Sequence, residues 1–377
     1  MDVPVVNWGT RRVELSAGEV TGAVGDSVTV LPIVVAVSAL TDLSLPVLLL
    51  WFGAFQVVWG LRYGAPVSVE PMKALAALVV AGSLTVPELA AAGTLAGGVL
   101  LALGAAGALG ALADRIDAAV IRGVQLAVAL VLARTGLELG AGAPEIALAA
   151  GAVGVSVIAL GYRRASALAV LGFGVALAGL ETGAPGLAVP ALGVAGLGAG
   201  AGAGGFGPLP ADFALTRDAL AATGAQLAMT VGNAAVATSL LLGDLYDADV
   251  SPDELATSMG AMNLLAVPLG ALPMCHGSGG VAGKHAFGAR TAGANLVLGA
   301  LYAAAALGAA DLVAAFPMAA LGVVLALVSV ELGRASLDTD SLALTAGVGV
   351  LGVATNVGLA FVAGVAASAV LARAGGE

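Results

Sequence analysis

A chain of 377 residues that is 60% hydrophobic and only 10% charged, with mean hydropathy +1.05, carries more apolar surface than a soluble core of that size can hide. This excludes a soluble globular protein and points to a polytopic membrane protein. The net charge of −10 excludes nucleic acid as a partner, and a single cysteine excludes an intramolecular disulfide.

The chain start reads as lacking a cleavable signal peptide. It is polar, and Arg11 and Arg12 precede the first apolar run without a processing site. "GDSVTVLP" (25–32) begins the first predicted membrane helix, with Asp26 as its cap. Apolar runs follow at 45–61, 85–112 and 145–161, then at 292–310 and 341–370, most near the roughly 20 residues that cross a bilayer. Their Ala and Gly content favours close helix packing, as genomic composition bias also would. The stretch 186–210 is apolar but made of small residues, and reads as an irregular crossing or surface segment. "GDLYDADVSPDE" (243–254) is an acidic loop that suits a surface in concentrated salt.

Arginines mark the ends of the apolar segments: Arg11, Arg12, Arg115, Arg163, Arg164, Arg290, Arg334 and Arg373. With a cytoplasmic N-terminus and about seven spans per half, all of these fall on the cytoplasmic side. Arg217 does not fit, and is assigned to an interfacial helix.

"FGAFQVVWGLRYGAPVSVEPMKAL" (52–75) aligns without a gap on "MGAMNLLAVPLGALPMCHGSGGVA" (259–282). Gly53 meets Gly260, Ala54 meets Ala261, Gln56 meets Asn263 and Pro66 meets Pro273. Upstream, "TVLPIVVA" (29–36) matches "TVGNAAVA" (230–237), and downstream "RGVQL" (122–126) resembles "LGVVL" (321–325). A repeated membrane unit is the mark of a transporter, with its site near the midplane where broken helices from both halves meet. Both copies have such a break, in "GAPVSVEP" and in "GALPMCHGSGG" (270–280). A helix that starts anew at a break offers free N–H groups and a positive dipole end, which bind anions.

The scarce polar residues concentrate there. Gly277, Gly279 and Gly280 allow backbone to approach a ligand, or equally a neighbouring helix. Ser278 donates a hydroxyl, and His276 donates or accepts. Cys275 reads as a small buried hydrophobe. Glu70 and Lys73, three apart, share a helix face as a local ion pair or as anion-binding and coupling groups. Thr230 and Asn233 sit one turn apart, and Thr29 matches Thr230 in the other copy. Gln56 and Asn263 are placed to hydrogen-bond across helices. Gln125 could close the site from the opposite side, Glu331 reads as interfacial, and Lys284 and His285 read as facing the cytoplasmic end of their segment. An enzyme is excluded by the lack of an HExxH motif or a Ser/His/Asp cluster, and His276 and His285, nine apart, form no metal site.

"PVSVEPMKALAAL" (66–78) and "GALPMCHGSGGVAGKHAFGAR" (270–290) resemble the two signatures of the molybdate transporter family related to the SulP sulfate permeases. "QLAMTVGN" (226–233), "RGVQL" and "GDSVTVLP" resemble further shared stretches. The resemblance implies an all-α polytopic fold of two inverted repeats of about seven transmembrane segments each. The third and tenth segments would be short helices beginning near Val67 and Met274, their N-termini facing across the site. It divides the chain into a core domain (1–113 and 211–310) and a gate domain (114–210 and 311–377). It implies alternating-access transport of molybdate, with tungstate a further substrate and sulfate the close alternative; a passive anion channel is the other. Substrate-binding residues would come from Thr29, Gln56, Ser68, Val69, Glu70 and Lys73 in the first half with Gln125. The second half would give Thr230, Asn233, Cys275, His276, Gly277, Ser278, Gly279 and Gly280. No cofactor or metal is implied; a homodimer in the cytoplasmic membrane is. The family commonly has Gln where Glu70 stands, Gln-Tyr where Lys284-His285 stands, and Pro at Ala228. A carboxylate beside an oxyanion site would repel the substrate unless it is protonated, which would make a proton the coupling ion, or paired with Lys73.

Overall fold

The computed structural model describes residues 5–8, 11–113, 116–182, 214–307 and 315–374. The stretch 186–210, Arg115 and the side chain of Arg164 lie outside the described residues. Helices dominate. Among the described residues, six are long and apolar enough to span a bilayer. Among the described residues, the all-α expectation misses only two short antiparallel strand pairs: β1 (Val5–Trp8) with β2 (Arg11–Glu14), and β3 (Glu70–Pro71) with β4 (Met274–Cys275).

The first half begins with α1 (Ala17–Leu40) and α2 (Leu45–Tyr63). Ser16 starts α1 by accepting from the Glu19 N–H. Asp26 is therefore no cap; it lies mid-helix, fully buried. Pro46 sits in the first turn of α2, and Gly64 ends it at φ 66°, the left-handed conformation that glycine adopts without a Cβ clash. After β3 come α3 (Lys73–Val80) and α4 (Val86–Ala105), the latter started by a Thr85–Glu88 capping box. The run 85–112 breaks there, and α5 (Leu109–Ala113) follows. Then come α6 (Ala118–Ala141), α7 (Pro144–Ala159) and α8 (Ser166–Thr182).

The second half opens with α9 (Arg217–Met229), continuous through a π-helical segment (Thr230–Val236) with α10 (Ala237–Tyr246). Arg217 thus starts a long apolar helix rather than an interfacial one, with Thr216 as its cap. Next are α11 (Pro252–Ala266), β4, α12 (Ser278–Ala286) and α13 (Gly293–Ala306). The last are α14 (Met318–Ser336), α15 (Leu342–Ala354) and α16 (Val357–Ala374). The single run foreseen at 341–370 is two helices, broken at Thr355 and Asn356, because Asn356 caps the second by accepting from the Leu359 N–H.

The packing is symmetric under exchange of halves. α2 packs on α13 while α4 packs on α11; α1 packs on α12 and α13 while α9 packs on α3 and α4. Small residues make these crossings close. A Cβ at Gly53 would meet the Gly299 carbonyl at 3.2 Å, and one at Gly97 would meet the Gly260 carbonyl at 3.3 Å. Carboxylates tie the same elements together. Buried Glu19 of α1 accepts from the N–H groups of Arg290, Thr291 and Ala294 at the start of α13. Glu88 of α4 accepts from Thr216 at the start of α9. The remaining helices form a second layer, with α6 against α14 and α15, and α14 against α7 and α8.

Candidate functional site

The two half-helices start later than the sequence implied, at Lys73 and Ser278 rather than near Val67 and Met274. The residues before them are extended and pair with each other. Glu70 stands opposite Cys275 and Pro71 opposite Met274, and Met72 N–H donates to the Pro273 carbonyl. Pro66 and Pro273 favour this extended backbone, and pairing satisfies amides that would otherwise be unbonded in a membrane interior. The strand pair aims both half-helix N-termini at one cavity.

That cavity has a volume of about 350 Å³. Of the residues foreseen, Thr29, Glu70, Lys73, Gln125, Thr230, Asn233, Cys275, Gly277, Ser278 and Gly279 line it. The Ser278 hydroxyl donates to Asn233 Oδ1 at 3.1 Å, joining α12 to the π segment. The π turn is what carries Asn233 to the wall near Thr230, since π geometry shifts the register of an α-helix. Lys73 Nζ donates to Glu70 Oε2 at 2.6 Å; both stand at the wall, Lys73 partly exposed and Glu70 fully buried.

Five foreseen residues do not line the cavity: Gln56, Ser68, Val69, His276 and Gly280. Each is buried and serves the layer behind. Gln56 Nε2 donates to Asp26 Oδ2 at 2.7 Å and to the Val69 carbonyl at 3.1 Å. Ser68 donates to Asp26 Oδ1 at 2.5 Å. The His276 ring bridges the Ser68 carbonyl and the Ser258 hydroxyl at 2.9 and 2.7 Å. Gly280 leaves the space that Asp26, Ser68 and Glu70 fill; a Cβ there would collide with all three. Asn263 holds both the N–H and the carbonyl of Met274, fixing β4.

Lys284 lies in the last turn of its helix, as foreseen, but is fully buried rather than facing the cytoplasmic side. Its ammonium meets Asp26 Oδ2 at 3.1 Å, Gln56 Oε1 at 2.8 Å and the Val67 carbonyl at 2.7 Å. A helix end would leave a lysine in water; the packing of α12 on α1 instead encloses this one among first-half residues. His285, beside it, packs edge-on against Tyr246. Glu331, read as interfacial, lines the cavity and pairs with Arg163 at 2.9 Å.

Four lining residues with charged or amide side chains were not assigned to the site by sequence reasoning. Gln226 Oε1 accepts from the Ala74 and Leu75 N–H groups at 2.9 and 3.4 Å, and its Nε2 donates to Thr230. Its place in "QLAMTVGN" was the signal available. Arg122 Nη1 donates to Gln125 Oε1 at 3.2 Å and its Nε to the Asp338 carbonyl at 2.9 Å. Its position three before Gln125 was the signal. Arg163 and Glu331 gave none, because their meeting depends on how α8 packs on α14. Lys73, Arg122 and Arg163 outnumber Glu70 and Glu331 at the wall by one formal charge, and Arg122 also pairs with Asp338 just beyond it at 3.4 Å.

These features define a multi-pass membrane protein with a cavity at the starts of two half-helices. The fold is similar to the transmembrane domain of a cyanobacterium bicarbonate transporter, BicA, at TM-score 0.65 and 17% identity, covering 92% of this chain and 97% of that one. It is also similar to murine Slc26a9, an anion transporter in the inward-facing state, at TM-score 0.68 and 14% identity, covering 98% and 69%. Among curated proteins, molybdate transporter 2 of Arabidopsis thaliana is 30% identical over 403 aligned positions, covering 89% of this chain and 82% of the relative. Molybdate transporter 1 of the same plant is 29% identical, covering 86% and 80%. The model of the family described as molybdate transporter of the MFS superfamily matches residues 18–132 and 218–332. The chain belongs to this molybdate transporter family, a family of transporters and not of enzymes.

Proposed function

We propose that this chain moves molybdate, and tungstate by the same chemistry, across the cytoplasmic membrane by alternating access. The observation that carries this reading is the positively charged cavity at the start of both half-helices, in a chain of the molybdate transporter family. Tetrahedral dianions suit a ring of hydroxyl, amide and backbone donors with one excess cation. The donors are Thr230, the Asn233 amide group and the first amides of α12, with Lys73 and Gln125 on flanking sides; Ser278, its hydroxyl donated to Asn233, orients that amide. Thr29 and the Cys275 thiol complete the wall.

In this reading the two halves are inverted repeats of about seven segments. The exchange-symmetric packing of α2 with α13 and α4 with α11 supports it. The core domain (1–113 and 211–310) carries the half-helices and the gate domain (114–210 and 311–377) carries Arg122, Gln125, Arg163 and Glu331. The N-terminus is cytoplasmic, as the arginine distribution favours. Sliding of core against gate would expose the cavity on alternate sides. A proton is the coupling ion, supported by the carboxyl of Glu70 in the cavity wall, and the protein works as a homodimer, as the resemblance implies.

Uptake of radiolabelled molybdate into proteoliposomes, with tungstate and sulfate as competitors, tests the substrate. Saturable uptake that accumulates molybdate under an inward proton gradient, resisting excess sulfate, is expected. Non-saturable flux would indicate a channel, and equal competition by sulfate would move the assignment to sulfate.

A further inference from the structure

Several of the donors at the two half-helices are already in use. Glu70 Oε1 accepts from the Gly280 N–H at 2.6 Å, in the first turn of α12. Its other oxygen, Oε2, accepts from Nζ of Lys73, the first residue of α3, at 2.6 Å. One carboxylate therefore bridges the starts of both half-helices. The α3 amides of Ala74 and Leu75 are bonded to Gln226, which is neutral.

The glycine run is shaped around this carboxylate. A Cβ at Gly277 would run into the Glu70 carboxyl group, and a Cβ at Gly280 would meet its Oε1 at 2.6 Å. A Cβ at Gly279 would lie 3.9 Å from Glu70, in ordinary contact. The backbone approach that glycine permits is thus an approach to the chain's own anion. Charged and titratable groups face it from every side: Asp26 on α1, Lys73 on α3, Cys275 on β4, Lys284 on α12 and Tyr302 on α13. Lys284 is matched by Asp26, so Lys73 is the cation left to serve either Glu70 or an incoming anion.

We propose that Glu70 is an internal competitor for the substrate: oxyanion binding is an exchange in which substrate oxygens displace the Glu70 carboxylate from Lys73 Nζ and the Gly280 N–H. This rests on the reading of the cavity as an oxyanion site. A dianion and an ionised carboxylate cannot share one ammonium and one amide without strong repulsion in a poorly screening interior. A group that only positions Lys73 would favour binding; a competitor opposes it. The sign of the effect separates the two.

The test is a titration of molybdate into purified protein, wild type against Glu70→Gln. Gln keeps the shape and can still accept from Gly280, but it is uncharged and a weak partner for Lys73. Losing a competing charge-assisted contact is expected to tighten molybdate binding about tenfold or more. A difference infrared spectrum of the wild type on adding molybdate should show a perturbed carboxylate band that is displaced in Glu70→Asp. Unchanged or weaker binding in a folded Glu70→Gln protein overturns the competition. If Glu70→Gln fails to fold, the wild-type spectrum decides, and an unperturbed carboxylate region overturns it. Molybdate binding to the wild type with either of those results leaves the function standing. No molybdate binding to any of the proteins removes both.

Discussion

Lys284 Nζ lies 3.1 Å from Asp26 Oδ2, and both side chains are completely shielded from solvent. The pair locks α12 to α1 directly behind the cavity wall. Each partner has further bonds: Asp26 accepts from Gln56 and Ser68, and Lys284 donates to Gln56 and to the Val67 carbonyl. Breaking a buried pair from one side leaves an uncompensated charge, which costs about 3–5 kcal/mol. Lys284→Met should therefore lower the unfolding temperature sharply in detergent. Adding Asp26→Asn to it should recover part of the loss, because the orphaned charge is gone. A Lys284→Met protein as stable as the wild type would contradict the structural role.

The cavity-facing glycine and the packing glycine should separate in experiment. Gly279 has room for a side chain that would project at the cavity, while a side chain at Gly280 collides with Asp26, Ser68 and Glu70. Gly279→Val is expected to yield folded protein with abolished uptake. Gly280→Val is expected to reduce the amount of folded protein in the membrane. The two are read by uptake assays alongside fluorescence-detected size exclusion. Full uptake by Gly279→Val would place the substrate elsewhere.

Asn233 spends its carbonyl oxygen on the Ser278 hydroxyl and faces the cavity from the π segment. Its amide group can then donate to an anion. Asn233→Ala should weaken molybdate binding by about 1.5–3 kcal/mol, the range for hydrogen bonds to charged groups, with little change in stability. Calorimetric titration gives the number directly, and an affinity within twofold of wild type would remove Asn233 from the site.

Arg122 and Arg163 sit where the cavity wall meets solvent, both partly exposed and both engaged with acidic partners. Such charges act on encounter more than on affinity. Arg122→Gln and Arg163→Gln should slow molybdate association at low ionic strength. The deficit should shrink as salt rises and the Debye length falls to about 10 Å at 0.1 M. Stopped-flow association rates across a salt series would show it, and a salt-independent deficit would argue for direct contact instead.

What the sequence by itself determined follows from one-dimensional signals. Hydropathy set the membrane class, because apolar runs of bilayer length need no partner to be read. The gap-free match of 52–75 with 259–282 located both breaks, and the two signatures located the family. Ten of the fifteen foreseen site residues do line the cavity, since a short motif beside a break has little freedom to point elsewhere.

Only the tertiary structure decided which layer each polar residue serves. Asp26 and Lys284 stand 258 positions apart, and no local pattern predicts that the packing of α12 on α1 will bury them as a pair. Gln56, Ser68 and His276 looked like ligand donors because their chemistry suits an anion. Their partners come from other helices and use up that chemistry before the cavity is reached. Glycine composition likewise could not say whether the space beside Gly280 holds a ligand or Glu70; that depends on the β3–β4 register, which sets Glu70 opposite Cys275. Sequence fixes which groups are available, whereas long-range packing fixes which of them remain unpaired, and a binding site is made of those that remain.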